Sequence, residues 1–178
     1  FSTHRIARPA DLVSTRPWTW RDEPIFGEFL RVVGANGRPM GVNEVYPALQ
    51  TNMIDTVPAS ALAAVSLQWH TRLQYVTQQN SGIIVGATIL RKPVFDALTE
   101  GQREALTSTA DRAHRALRRA IRRDDDRAFA TVQRRGIQLV DTSPHAAEWA
   151  QAQATTRQRM TGRLYSRALL NRVEAAAQ

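Results

Sequence analysis

Short blocks of apolar residues alternate with polar residues along the first third of the chain and predict small strands joined by helices. The predicted order is a strand at 18–20, a helix from 22 to 34, a strand at 38–42, a helix from 43 to 51 and a strand at 53–57. Asp22 and Asn43 are the expected helix caps. This order, with connections of a few residues, is typical of an α/β layer with a parallel sheet. Ligand sites in such sheets lie beyond the carboxyl ends of the strands, so we expect a site near Trp20, 42–44 and 58–60.

The rest of the chain is dominated by helical spacing. The pattern predicts a helix at 59–75, a buried strand at 82–90, a long helix at 98–135, a strand at 137–140 and a last helix from 143 to about 176. In the long helix, apolar residues recur at steps of three and four, so one face is expected to pack and the arginines to face solvent.

Composition excludes several classes of protein. The 178 residues suffice for one domain or for two small lobes, and the absence of cysteine excludes disulfides and thiolate metal sites. No apolar run approaches the roughly 20 residues of a membrane span. The first residues, FSTHRIARPADL, lack the apolar core of a signal peptide.

The formal net charge of +8 is carried almost entirely by arginine, and the run RAHRALRRAIRRDDDRAF concentrates it. Such a run can follow a nucleic-acid backbone. It can equally be the solvated face of an amphipathic helix, and the acidic residues at 124–126 interrupt it in a way that favours this interpretation. We therefore expect no nucleic-acid partner, although a nucleic-acid-binding module remains an alternative.

No signature of catalysis is present. The four histidines have no metal-ligand spacing, and GxSxG, GxGxxG and P-loop motifs are absent. We expect neither an enzyme, nor a metal, nor a cofactor. The remaining candidates are aromatic residues near the predicted carboxyl ends, Trp18, Trp20, Tyr46 and Trp69, which can line a ligand pocket or pack in the core.

Several phrases of the sequence resemble one protein family. RPADL at 8–12, NEVYPALQTNMIDTV at 43–57 and ILRKPVFDALTEGQREAL at 89–106 are similar, in order and spacing, to the extracytoplasmic solute-binding proteins of tripartite ATP-independent periplasmic (TRAP) transporters. The resemblance implies a periplasmic protein with two α/β lobes around a ligand cleft, a long helix spanning both lobes, and delivery of the solute to membrane permease subunits.

The same resemblance implies a division of the chain. Residues 1–80 are expected to form an α/β lobe with the cleft loops. Residues 81–141 would contribute a return strand, the long helix and a strand to the other lobe, and residues 142–178 a helix that packs on the lobes. The first β-α-β region of the family would precede residue 1.

Two departures from the family pattern bear on the ligand. Trp18 stands where relatives that carry organic acids have an arginine, and Ala59 stands where they often have an asparagine. We therefore expect an apolar or aromatic ligand, with Trp18 stacking on it. The predicted ligand-binding residues are Trp18, Trp20, Met40, Tyr46, Pro58, Ala59 and Arg16.

Two alternatives keep the same fold. In the first, Arg16, two residues before Trp18, binds a carboxylate. In the second, the cleft is vestigial and the protein is a scaffold.

Overall fold

The computed structural model describes residues 1–80, 82 and 84–176, and it is a mixed α/β structure, as predicted. The strands are β1 (Trp18–Trp20), β2 (Arg38–Met40), β3 (Tyr75–Thr77) and β4 (Gln138–Val140). The helices are α1 (Pro24–Val32), α2 (Val42–Gln50), α3 (Ala61–Ser66), α4 (Lys92–Asp96), α5 (Glu100–Arg134), α6 (Ala146–Met160) and α7 (Arg167–Ala176).

The first sheet carries the predicted β-α-β order. β1 and β2 are parallel, with Trp20 opposite Met40. On the other side of β1, Pro17 forms a parallel bridge with Thr56, and the Trp18 N–H donates to the Thr56 carbonyl oxygen at 2.8 Å. The stretch predicted as a third strand is thus reduced to one bridging residue, Thr56, but this segment, β1 and β2 run in the same direction and end at one edge.

The second sheet pairs β3 with β4, also in parallel. Ser2 forms bridges with both Thr56 and Tyr75, so the first residues connect the two sheets. The pairing of β3 with β4 crosses the predicted boundary at residue 80, and the division into 1–80, 81–141 and 142–178 stays a prediction.

Three apolar clusters fill the interior. The cluster beneath the first sheet contains Trp18, Met40, Val45, Ala48, Leu49, Ile54, Val57, Trp69 and Leu73. A second cluster joins α1 to α6 through Phe29, Leu30, Trp149 and Ala152, and a third joins β3 to α5 through Val76, Val132 and Ile137. Helix α6 therefore packs against α1, and the packing of residues 142–178 on two lobes stays a prediction.

Two helices begin differently from the prediction. Glu23, and not Asp22, caps α1, because its carboxylate accepts the N–H groups of Ile25 and Phe26 at 2.7 and 3.0 Å. Gly41, and not Asn43, precedes α2, and Glu44 reaches back to accept the Gly41 N–H at 2.6 Å. In both cases the long side chain of a glutamate accepts a backbone N–H at the start of the helix. The sequence pattern had assigned this capping role to a shorter residue, Asp22 or Asn43.

Two predicted helices are broken by left-handed residues. The helix expected at 59–75 ends at Ser66, since Gln68 adopts φ +59° and leads into a 3₁₀ turn at Trp69–Arg72 and then β3. The helix expected from 143 to 176 is interrupted at Gly162, with φ +81°. The sequence signals, one glutamine and one glycine in otherwise helical stretches, are weak.

The predicted buried strand at 82–90 is wrong for the residues described. Residues 82 and 84–90 form no strand, and Ile84, Val85 and Ile89 are 75, 85 and 90% exposed. Ile83, within the same prediction, lies outside the described residues. The β-branched run predicts a strand correctly only where a partner strand exists, and none of the described segments provides one here.

Helix α5 confirms the predicted long helix, with Thr99 as its N-cap. Only Ala128 and Val132, near its C-terminal end, are buried. The same apolar stripe continues toward the N-terminus through Leu106, Leu117 and Ile121, which are exposed. Despite its length α5 is too polar to cross a membrane, and no other helix among the described residues has the length and apolar composition to do so.

Candidate functional site

The carboxyl ends of the first sheet form a continuous rim, which we call the carboxyl edge and define as residues 20–23, 40–44 and 57–60. It brings together the three loops in which the sequence predicts a site. Trp20 is the most accessible aromatic residue there, with 46% of its surface exposed. Its ring centroid lies 4.9 Å from that of Trp18. The edge therefore offers one open indole face supported from behind by a second indole.

Trp18 itself is a core residue in this structure. Its side chain has no exposed surface, packs edge-on against Trp69 at 5.3 Å, and donates its indole N–H to the Met40 carbonyl oxygen at 3.0 Å. Both its apolar surface and its polar atom are satisfied within the protein. Direct stacking of a ligand on Trp18 stays a prediction, and it requires Trp20 to move.

Met40 belongs to the carboxyl edge, and Tyr46 lies just beyond it on α2. Met40 is buried in the cluster beneath the sheet, whereas Tyr46 is half-buried against it. The Arg72 guanidinium lies 5.9 Å from the Tyr46 ring centroid. Hydrogen bonding by Thr71 and Arg72 lowers the pKa of the Tyr46 phenol. Tyr46 is thus held beside a cation and not free to reorient without cost.

Pro58 and Ala59 form the third part of the edge, where both are half-buried. Ser60 then caps α3, its hydroxyl oxygen accepting the Ala63 N–H at 3.1 Å. The short Ala59 side chain leaves this part of the edge shallow. Trp20, Met40, Pro58 and Ala59 thus belong to the carboxyl edge, whereas Tyr46 lies farther along α2, beside Arg72.

Arg16 lies at the opposite end of β1, bound to a buried acid. Its backbone N–H and its Nε donate to the two Asp55 carboxylate oxygens at 2.7 and 3.0 Å, and Asp55 is 2% exposed. Thr56 Oγ1 donates to the same carboxylate at 3.1 Å, and His4 Nε2 lies 3.4 Å from it. Arg16 neutralises a buried charge here, and it is not grouped with the other predicted ligand-binding residues.

One cation at the carboxyl edge was not among the predicted residues. Arg21 follows Trp20 directly, and its Nη2 donates to Glu44 Oε2 at 3.1 Å, although both side chains remain more than half exposed. This exposed pair joins the end of β1 to the start of α2. Only the position of Arg21 immediately after the predicted strand could have indicated its role.

An open cavity of about 580 Å³ lies beside Trp20 and Arg21. Its walls come from the β1–α1 loop, α1 and the turn before β2, and its lining includes Thr19, Trp20, Arg21, Asp22, Glu23, Gly27, Arg31 and Asn36. The lining combines a half-exposed indole and guanidinium and amide donors with the carboxylates of Asp22 and Glu23, of which Glu23 is engaged in capping α1. Such a combination suits a small molecule with an apolar face and hydrogen-bond acceptors.

The acidic and histidine side chains of the described residues do not assemble into a metal site. Among residues 1–80, 82 and 84–176, no group of three or more such side chains is placed to hold an ion. The acidic run at 124–126 has other functions: Asp125 accepts the Leu62 N–H at 2.8 Å, and Asp124 lies 3.6 Å from the Arg127 guanidinium.

Comparison with known families gives one match over most of the chain. The model of the bacterial extracellular solute-binding protein family 7 (DctP) matches residues 2–163. The 2,3-diketo-L-gulonate-binding periplasmic protein YiaO of Escherichia coli is 24% identical over 135 residues, which are 76% of this chain and 41% of that protein. These matches agree with the resemblance carried by the sequence phrases.

Solved structures share the fold. A TRAP periplasmic solute-binding protein from Fusobacterium nucleatum, solved with sn-glycerol-3-phosphate, superimposes with a TM-score of 0.82 at 15% identity, covering 98% of this chain and 55% of that one. One from Xanthobacter autotrophicus, solved with β-D-galacturonate, has a TM-score of 0.80 at 16% identity, covering 98% and 58%. The chain thus spans little more than half the length of these structures, and less than half that of the curated relative.

Proposed function

The chain belongs to the bacterial extracellular solute-binding protein family 7, and on this premise we propose that it forms part of a periplasmic protein that captures a small organic solute for a TRAP transporter. In this role it is a binding protein and not an enzyme. The carboxyl edge of the first sheet is its wall of the ligand cleft. Membrane permease subunits are the partners that receive the solute.

We infer that the solute is a small organic acid with an apolar face. The observation that carries this inference is that the half-exposed Trp20 and Arg21 line the same open cavity, together with further donors. An indole face packs on a sugar ring or an alkyl chain, and a guanidinium pairs with a carboxylate or phosphate. The ligands of the two solved structures, glycerol-3-phosphate and galacturonate, are both anionic.

This solute class differs from the apolar ligand that the sequence predicted. That prediction rested on Trp18 and Ala59 in place of polar residues, and it draws no support from the relatives, whose ligands carry charge. Arg21 supplies a cation at the edge that Trp18 does not. Arg16 is the alternative anchor, but its partner Asp55 is buried, whereas Glu44, the partner of Arg21, is exposed and can give up the pair at less cost.

The opposite wall of the cleft requires a second lobe. Some apolar surface is not covered by any described residue. It consists of the exposed side chains of Ile84, Val85 and Ile89 and of the part of the α5 apolar stripe that contains Leu117. In the two solved structures, more than two fifths of the chain has no counterpart here. We propose that polypeptide corresponding to that part packs on this surface and that α5 then contacts both lobes, which close on the solute by a hinge motion.

A ligand panel tests this function on the full gene product that contains this chain. We expect D-galacturonate, D-glucuronate or glycerol-3-phosphate to raise the melting temperature saturably, because a ligand at 100 times its Kd adds about 2.7 kcal/mol of stability. The uncharged analogues, which are the methyl esters of the uronates and the alcohol without its phosphate, should raise the melting temperature less. A larger effect of neutral aromatic compounds would restore the apolar-ligand prediction.

Variants locate the binding. Trp20→Ala should abolish most of the melting-temperature rise, whereas Ile25→Ala, a truncation of a comparably exposed apolar residue, should not. If no compound of either class shifts the transition, the scaffold alternative is supported.

A further inference from the structure

A second open cavity lies at the amino ends of β3 and β4, where no ligand site was expected. Its volume is about 450 Å³. The lining residues are His70, Thr71, Leu73, Gln74, Arg135, Gly136, Ile137 and Gln138. One wall is therefore the turn before β3, and the other is the turn that ends α5. The Gln138 N–H donates to the Gln74 carbonyl oxygen at 2.8 Å and ties the two walls together.

The partners of His70 fix its protonation state. Its Nδ1 lies 3.0 Å from the Ala64 carbonyl oxygen, which can only accept, so Nδ1 carries the proton. Its Nε2 lies 2.7 Å from Nη1 of Arg135, which can only donate, so Nε2 is unprotonated. His70 is therefore neutral in this structure, although it is buried beside a permanent cation.

Arg135 has no acidic partner among the described residues, and a neutral imidazole nitrogen is its side-chain hydrogen-bond partner there. Its neighbour Arg134 differs, because it donates to the Thr131 hydroxyl and does not line the cavity. A guanidinium has several N–H donors in a fork that matches oxyanions. Arg135 thus presents donors to an open, polar cavity with its positive charge unpaired.

Among the residues that the structure describes, no acid forms a hydrogen bond or an ion pair with His70. Arg72, on the same turn, lies over the Tyr46 ring on α2, and Asp125 on α5 accepts the Leu62 N–H of α3. The charged group in contact with the imidazole is Arg135. Protonation of His70 would therefore set two cations with facing N–H groups at hydrogen-bond distance, and their repulsion is relieved either by movement of Arg135 or by an anion between them.

We propose that this cavity binds a small oxyanion, a carboxylate or a phosphate- or sulfate-like group, anchored by Arg135 and additionally bound by His70 when that residue is protonated. The anion takes the place of Nε2 as the acceptor for Arg135. The imidazolium Nε2–H then donates to the same anion. Anion binding and proton uptake by His70 are consequently linked, so each favours the other.

An NMR titration with sulfate tests this site, since sulfate keeps its charge over the relevant pH range. Sodium sulfate is added to the ¹⁵N-labelled full gene product, against sodium chloride at matched ionic strength, at about pH 7.5 and about pH 5.5, a range that spans histidine titration. We expect saturable shifts of the Gly136 amide and the Arg135 Nε–H, with a Kd about tenfold lower at the acidic pH.

Three variants separate this site from general attraction to a basic protein. Arg135→Gln should abolish the saturable shifts, and Arg134→Gln, the matched control, should preserve them. His70→Gln should leave weak binding that no longer depends on pH. Three results would each overturn the proposal. They are sulfate binding by Arg135→Gln with the affinity of the wild type, equal shifts at all arginines, and a wild-type Kd for sulfate that does not depend on pH. Because Arg135 is exposed, its variant should fold even if the His70 variant does not.

Discussion

The indole N–H of Trp18 donates to the backbone carbonyl oxygen of Met40 at 3.0 Å, and this bond joins β1 to β2 from within the core. It satisfies the polar atom of a side chain that has no contact with solvent. The residue that the sequence made the principal ligand contact is thus a structural element of the sheet.

Truncation of Trp18 should therefore affect folding first. We expect Trp18→Ala to lower the free energy of unfolding by about 3 to 5 kcal/mol, as for other buried aromatic residues. Trp18→Phe should cost less but leave the Met40 carbonyl without its donor. Urea denaturation checks both variants, with Trp20→Ala as the exposed control. Full stability of Trp18→Ala together with lost ligand affinity would show that Trp18 belongs to the site.

The Arg16–Asp55 pair should behave asymmetrically. Asp55→Ala removes a buried acceptor of three donor groups and is expected to cost about 3 to 5 kcal/mol. Arg16→Gln should cost less, about 1 to 3 kcal/mol, because the buried carboxylate loses its facing cation but keeps its bonds from the Arg16 backbone N–H and the Thr56 hydroxyl. Denaturation and ligand titration on the same samples distinguish a structural role of Arg16 from a role in ligand binding. Loss of organic-acid binding in Arg16→Gln at unchanged stability would make Arg16 the carboxylate anchor.

Glu28 should make stability fall in acid. The hydrogen bond from Arg31 at 2.8 Å, with the charges of Arg31, Arg163 and Arg159, lowers the pKa of this buried carboxyl below its ordinary 4.5. A carboxyl with a lowered pKa adds stability above its ordinary value, and this contribution is lost as the pH falls through the lower folded-state value.

The comparison of Glu28→Gln with the wild type isolates this contribution. The variant should be less stable at neutral pH by about 1 to 3 kcal/mol, and the difference should narrow below about pH 4.5. Glu100→Gln, which alters an exposed glutamate in the first turn of α5, should show no such pH-dependent difference. A difference in stability between Glu28→Gln and the wild type that stays constant down to pH 3 would contradict the lowered pKa of Glu28.

The sequence predicted those elements whose signals are local. The strand at Trp18–Trp20 follows from alternation and the helix from Thr99 to Arg135 from helical spacing, and both are present. The apolar run at 84–90 shows where local signals fail. Its residues indicate that the segment could be buried as a strand, but not whether another strand is available to pair with it.

The site was predicted to a similar extent. The rim followed from the direction of parallel strands. The burial of Trp18 and the engagement of Arg16 by Asp55 depend on contacts across 22 and 39 residues, which periodicity does not encode. Arg21 was missed because an exposed arginine in an arginine-rich chain carries no distinctive signal.

The arginines of α5 should have no part in solute binding. Arg118 and Arg122 are exposed on α5 and lie outside its apolar stripe. The double variant Arg118→Glu/Arg122→Glu should therefore leave the solute Kd unchanged within error. The wild type should bind no duplex DNA or RNA at physiological salt. Nucleic-acid affinity that falls steeply with salt and disappears in the double variant would establish the alternative function.

Fluorescence quenching tests the central claim most directly, because Trp20 is the accessible tryptophan and Trp18, Trp69 and Trp149 are buried. Iodide should quench the emission of Trp20 in the free protein and spare that of the buried rings. If an organic acid binds at the carboxyl edge, saturating ligand should protect this emission, and Trp20→Phe should remove both the quenching and the protection. Saturable binding that leaves the iodide quenching of Trp20 unchanged would place the solute elsewhere and contradict the account.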